Sequence, residues 1–481
     1  MNYAIVFRLL GYILMIEGAL LLLPAAASLI YGEWMVLAVF LLTAAVSAGI
    51  GFALRAIKPR SKVFYMREGF TATALSWIVI SVVGAAPFVL TGCIPNPVDA
   101  LFETVSGFTT TGASILPAVE GLPKGILFWR SFTHWIGGMG ILVFMLAIVR
   151  MDGGQAIHLL RAESPGPTVS KMVPRMADSS KILYGIYFGL TVLQILFYLA
   201  GGEPLFDSLC NAFGTAGTGG FAIKNSSMGG YSYFLQTVVT VFMFLFGVNF
   251  SLYYMLLLRK FKAVFKNEEL RLYFGIAAGS VVLIAINISR MYNTVCESVH
   301  HAAFQVVSIM TTTGYGTVDF EQWPAFSKAI LLSLMFIGAS AGSTGGGLKV
   351  SRVLLLMKSI RRTIRKALHP RRVQPVYMDG RAVSEEVCDN VNAYLAIYCV
   401  ILVLSFAVIS VDGFSIGTNF SAVASCFNNI GPGFELVGAT QNFSIYSDLS
   451  KIILSLDMLL GRLEIFPLLL LLSPDTWSRR R

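Results

Sequence analysis

The sequence predicts an all-α membrane protein built from four repeated re-entrant hairpin units behind an N-terminal helix pair. Three observations predict it: the composition is that of a bilayer protein, basic residues fall in alternate loops, and four Gly-centred turns recur in the loops between. Hydrophobic residues make up 56% and charged residues 13% of the 481 positions, and mean hydropathy is +0.72; a soluble domain carries about a quarter charged residues.

Apolar runs of about 20 residues, enough to cross the hydrocarbon layer as helix, recur at 4–30, 33–57, 70–91, 125–149, 182–200, 232–258, 272–288, 329–356, 393–411 and 449–472. The first is read as a retained helix, because Glu17 interrupts a core already too long for a signal peptide. Six scattered cysteines with no CxxC spacing indicate neither a disulfide framework nor a metal site.

The net charge of +10 reports topology. Assigning 55–67, 150–181, 259–271 and 349–381 to the cytoplasm, with Arg8 and Arg479–Arg481 at the termini, places there 29 of the 36 Lys and Arg residues, as the positive-inside rule requires. Both termini are therefore expected in the cytoplasm. The stretch 352–381, with Arg361, Arg362, Arg365, Lys366, Arg371 and Arg372, suits anionic lipid or a docked subunit, and no nucleic acid is called for. The opposite loops hold only Lys224, Arg290 and Lys328 against Glu103, Glu120, Asp207, Asp319, Glu321 and Asp412, so that face attracts cations.

Each of those acidic-side loops contains an apolar stretch too short to span, starting near Pro97, Pro204, Glu297 or Ile416, that runs into a Gly-rich turn. Aligned on one glycine, the turns centre on Gly112, Gly219, Gly314 and Gly431, at separations of 107, 95 and 117 residues. Non-helical backbone at membrane depth must be buried in protein or line water, so the four turns are expected to meet around one axis. A ring of backbone carbonyls can replace a cation's hydration shell. The residues expected to hold the ion are Thr110, Thr111 and Gly112; Gly217, Thr218 and Gly219; Thr312, Thr313 and Gly314; and Asn429, Ile430 and Gly431. Only the third turn, with Tyr315 and Gly316, approaches the TVGYG pattern of tetrameric potassium channels, the others having Ala113, Gly220 and Pro432 where Tyr315 stands.

The strings SGFTTTGAS, GTAGTGGF, TTTGYGTVDF and NNIGPGFE resemble those of the TrkH/KtrB/HKT superfamily, TrkH branch. FWRSFTHWIGGMG from Phe128, AGSTGGGLK from Ala341 and MLLGRLEIFP from Met458 extend the likeness over nearly the whole chain. The resemblance implies a pseudo-fourfold arrangement of four M1-P-M2 units around one pore, with 1–60 as the helix pair and 61–150, 151–265, 266–380 and 381–481 as the units. It further implies potassium uptake across the bacterial inner membrane, a homodimer, and TrkA-like cytoplasmic regulatory subunits that bind the nucleotide; no cofactor is expected in this chain. Glycine at all four central positions favours potassium over sodium. The alternative is an ion-coupled potassium symporter, since coupling leaves no local motif, or a sodium-permeable member of the same superfamily.

The Gly-rich stretch 338–347 breaks the span between Lys328 and Lys358, since each Gly costs a helix about 1 kcal/mol. In similar proteins it is an intramembrane gating loop, here with Gly345, Gly346, Gly347 and Lys349. It is no phosphate-binding loop, because Val350 follows Lys349 where Ser or Thr is needed. Arg462, an ionisable group within an apolar span, is expected to face the pore and touch that loop, a structural pair with Glu464 or a half-helix carbonyl being the alternative. Glu103 suits either cation attraction or packing. Arg130 and His134, at i and i+4, are expected to anchor the first half-helix. An intramembrane enzyme would pair His134 or His300 with buried acids on facing spans, and the sequence offers no such pair.

Overall fold

The computed structural model describes residues 1–58, 64–140, 145, 176–369 and 374–477. The inner end of the 125–149 run, most of loop 150–181, Arg371, Arg372, Arg479–Arg481 and the unit boundaries at 60/61 and 150/151 lie outside them. Apolar side chains cover the outside of the molecule, among them Phe188, Leu196, Phe274, Ile286, Val403 and Leu404, while Thr71, Thr73, Ser76, Gln194 and Gln305 are fully enclosed. That inversion suits a hydrocarbon solvent, in which surface Leu costs nothing and polar groups must find partners inside.

The N-terminal pair consists of Tyr3–Leu20 continued by Leu22–Ile30, and Trp34–Arg55. The first and last of these pack backbone to backbone where Gly11 meets Gly51 and Gly18 meets Ala44 and Ala48, the close approach that small residues permit in membranes. Glu33, between the two, turns its carboxylate onto the N–H groups of Lys124 and Gly125 (2.5 and 2.9 Å). It thereby caps the N-terminus of a helix in the first unit and pins the pair to it.

Four units follow. Their first helices are Met66–Leu90, Met176–Ala200, Glu268–Ile288 and Glu385–Ile409. Their half-helices are Pro97–Phe108, Leu205–Gly217, Val295–Met310 and Ile416–Phe427, started by Asn96, Thr294 and Ser415 side chains that accept backbone N–H bonds in units 1, 3 and 4.

The closing spans of units 2 to 4 are broken into shorter helices than the apolar runs suggest. Unit 1 has Lys124–Gly138. Unit 2 has Tyr233–Phe246 and Phe250–Leu257, bent by 90°. Unit 3 has Ala325–Met335 and Val350–Leu368, and unit 4 has Asp448–Arg462 and Phe466–Leu472, separated by Leu463, Glu464 and Ile465, the last two at φ +55° and +70°. Six helices among the described residues are long and apolar enough to cross a bilayer, or seven if the bent pair is one span. Ten apolar runs become fewer continuous helices because hydropathy is blind to a break between two apolar segments.

One departure from all-helix is a two-stranded antiparallel hairpin, Val376–Met378 with Arg381–Val383. Its Asp379-Gly380 turn has φ +49° and +77°, the Asp-Gly hairpin signature. The Asp379 carboxylate accepts from Asn267 and from the Glu268 N–H (both 2.8 Å).

Candidate functional site

Each half-helix ends in the same backbone device. Thr110, Thr218, Thr312 and Asn429 take the left-handed conformation at φ +58°, +54°, +59° and +57°. The next residue's N–H bonds the carbonyl five positions back: Thr111 to Ser106, Gly219 to Gly214, Thr313 to Ser308 and Ile430 to Ser425, all 2.8–2.9 Å. This is a Schellman-type close, with non-glycine residues where glycine usually stands. Then comes a glycine at positive φ: Gly112 (+79°), Gly220 (+78°), Gly314 (+81°) and Gly431 (+102°).

This equivalence corrects the second turn. Its central glycine is Gly220, and its three residues are Thr218, Gly219 and Gly220 in place of Gly217, Thr218 and Gly219. The Thr-Gly pair at 218–219 mimics Thr111-Gly112, yet Thr218 occupies the position of Thr110. In this register the residue matching Tyr315 is Phe221; both are buried aromatics.

The four turns close on one another in cyclic order. A Cβ at Gly112 would collide with the Gly219 carbonyl, one at Gly220 with that of Thr313, one at Gly314 with that of Ile430, and one at Gly431 would stand 2.7 Å from that of Thr111. Each central glycine thus lies against the carbonyl preceding the next unit's central glycine, around to the first. The half-helices all present their C-termini, the negative ends of their dipoles, to this ring. Thr110, Thr111, Thr312, Thr313, Asn429 and Ile430 are fully buried with it.

Beneath the ring lies the loop between Met335 and Val350. The Gly346 N–H donates to Thr312 Oγ1 (2.6 Å), and side chains at Gly345 or Gly346 would crowd the carbonyls of Thr311 (2.9 Å) and Asn428 (2.7 Å). Lys349 folds its ammonium onto the Gly345 and Gly346 carbonyls. Gly347 takes φ +67°, which returns the chain beside Gly338. The Arg462 guanidinium donates to the Thr344 carbonyl (2.8 Å), to that of Gly138 (2.6 Å) and to that of Gly137. It does not pair with Glu464, whose partner is Arg352.

Two further holders of the loop escape a reading by sequence. Glu269 Oε1 accepts from the N–H groups of Ala341 (2.7 Å) and Ser351 (3.1 Å), tying the middle of the loop to the start of the helix that follows it. The kink in unit 2 supplies the Gly247 carbonyl to Ser340 N–H (3.0 Å), and Phe250 N–H donates to the Gly342 carbonyl (3.0 Å). Gly247 and Asn249 were the available signals for that kink.

Glu103 is engaged and buried: it accepts from Arg130 Nε (2.6 Å), Ser114 Oγ (3.0 Å) and Ile115 N–H (3.0 Å). Arg130 continues to the Ala222 carbonyl (2.9 Å). His134 Nδ1 is 2.7 Å from the Gly107 carbonyl. His300 and His301 bond Gln236 (2.8 Å) and Thr317 (3.0 Å).

A cyclic ring of turns fed by helix C-termini, enclosed by helices with apolar exteriors and stopped below by a loop, is the architecture of a multi-pass membrane transport protein. Residues 35–479 match the model of the TrkH family, described as cation transport proteins. The chain is 36% identical to the Trk system potassium uptake protein TrkH of Salmonella typhimurium and 35% identical to that of Escherichia coli K12, each alignment covering 99% of this chain and all of the relative. The crystal structure of the potassium transporter TrkH from Vibrio parahaemolyticus is similar with a TM-score of 0.88 at 33% identity, over 99% of this chain and all of that one. The chain belongs to the TrkH family of cation transport proteins.

Proposed function

We propose that this chain carries K+ into the cell across the bacterial inner membrane, passively, through the ring of four turns, with both termini in the cytoplasm. The cyclic packing of Gly112, Gly220, Gly314 and Gly431 on the carbonyls of the next turn is the observation that carries this reading. Such a ring offers a dehydrated cation backbone oxygens from four sides, and the half-helix C-termini add negative potential. The relatives' names as potassium uptake proteins support K+ as the ion.

The filter assigned here is Thr110-Thr111-Gly112, Thr218-Gly219-Gly220, Thr312-Thr313-Gly314 and Asn429-Ile430-Gly431. Gly345, Gly346, Gly347, Lys349 and Arg462 form the closed gate. A negative interior drives K+ inward with about 2.3 kcal/mol per charge per 100 mV. The gate opens when a cytoplasmic nucleotide-binding subunit of the TrkA kind shifts the loop away from Thr312 and Arg462, and the chain works as a homodimer. Units 1 to 4 run over 61–150, 151–265, 266–380 and 381–481.

The test is growth at low potassium of a bacterium lacking its own uptake systems, carrying this chain with and without a co-expressed regulatory subunit. Growth is expected. Failure in both cases, with the protein present in the membrane, contradicts the proposal.

A further inference from the structure

The second turn differs from the others in what stands behind it. In turns 1 and 3 the Thr109 and Thr311 hydroxyls bond the carbonyls of Val105 and Val307 (2.7 Å) and reach the Thr111 and Thr313 hydroxyls at 2.8 Å. In turn 4 the Asn428 amide bonds the Ala424 carbonyl (2.8 Å), and the Asn429 amide bonds Thr111 Oγ1 (3.0 Å) and the Met458 carbonyl (2.9 Å). The residues of turn 2 that correspond to Thr109 and Thr111 are Gly217 and Gly219, which have no side chain to make such bonds.

Unit 1 fills the place. A side chain at Gly219 would collide with the His134 imidazole, and one at Gly217 with the His134 carbonyl. The ring is fixed at both nitrogens: Nδ1 lies 2.7 Å from the Gly107 carbonyl, and Nε2 accepts from the Phe221 N–H at 3.2 Å. A carbonyl only accepts, so Nδ1 carries the proton and the imidazole is a neutral bridge in one tautomer. One helical turn earlier, Arg130 donates to the Ala222 carbonyl and lies over the Phe221 ring, 3.6 Å from its centroid, its charge matched by Glu103.

We propose that His134 and Arg130 are the positioning residues of the second filter turn, supplying from unit 1 the support that Thr side chains give turns 1 and 3, and so setting that turn's share of the discrimination between K+ and Na+. This rests on reading the four turns as the filter. Glycine holds its backbone less firmly than any other residue, so turn 2 depends on outside support to keep its carbonyls from closing onto a smaller ion. A neutral imidazole provides it without placing a positive charge beside the pathway.

The test is the ratio of Na+ to K+ flux into liposomes containing the full-length protein. His134→Ala and Arg130→Lys are expected to raise the ratio roughly tenfold. Adding Gly219→Thr to His134→Ala, which returns a side chain to the space the imidazole vacates, is expected to bring it back toward wild type. Gly314→Ala, a filter variant remote from His134, separates the two claims. Wild-type ratios in His134→Ala and Arg130→Lys, with an altered ratio in Gly314→Ala, overturn the positioning role and leave the filter standing. An unaltered ratio in Gly314→Ala as well overturns both. Should His134→Ala fail to reach the membrane, Arg130→Lys, which keeps the charge opposite Glu103, decides by itself.

Discussion

The Gly219 carbonyl lies so close to the α-carbon of Gly112 that no side chain fits between them. Gly112 also stands at φ +79°, a conformation that L side chains rarely adopt. A serine there must displace the neighbouring turn and accept backbone strain. Gly112→Ser is expected to raise the Na+:K+ flux ratio roughly tenfold, equal to about 1.4 kcal/mol of lost discrimination. Flux of the two ions into liposomes checks it, and an unchanged ratio counts against turn 1 as part of the filter.

Arg462 ties the loop beneath the ring to the end of the unit 1 helix, through Thr344 on one side and Gly137 and Gly138 on the other. Replacing it with Gln removes charge-assisted bonds worth about 1.5–3 kcal/mol each when intact. Much of this is recovered from water on release, so K+ flux without a regulatory subunit is expected to rise about five- to tenfold, which about 1–1.4 kcal/mol supplies.

Arg352 and Glu464 form an enclosed ion pair, with Arg352 also 4.1 Å from the centre of the Tyr394 ring. Removing one partner strands the other charge and typically costs about 3–5 kcal/mol. Glu464→Ala is therefore expected to lower the thermal midpoint in detergent by several degrees. The double variant with Arg352→Met should recover part of that loss.

Glu203, in the loop before the second half-helix, is pushed up to about 7 by burial and by the neighbouring Asp207 carboxylate. A carboxyl whose folded value exceeds its ordinary 4.5 favours the folded state when protonated. Its contribution is fully present below about 4.5 and is lost as pH rises through about 7. The thermal midpoint should thus fall between pH 5 and 8, and in Glu203→Gln that fall should shrink; equal falls in both proteins would contradict it.

How much of this was legible depended on the kind of signal. Half-helix starts fell within a residue or two of Pro97, Pro204, Glu297 and Ile416, because turn residues and short apolar runs are local features. The register of turn 2 was not legible. Thr218 adopts a left-handed conformation that sequence assigns to glycine, and four glycines between 214 and 220 offered competing alignments. The breaks at Gly247 and Leu463 vanished into continuous apolar runs. The contacts of Glu269 with the loop, of Arg462 with Gly137 and Gly138, and of His134 with Phe221 join residues far apart in the chain, so only the fold could pair them.

The most direct measurement of the central claim is anomalous diffraction from crystals of the protein grown in Rb+ or Tl+. The account predicts a peak on the axis of the ring, among the carbonyls of Thr111, Gly219, Thr313 and Ile430. Bound Rb+ or Tl+ elsewhere in the protein with none on that axis would contradict it.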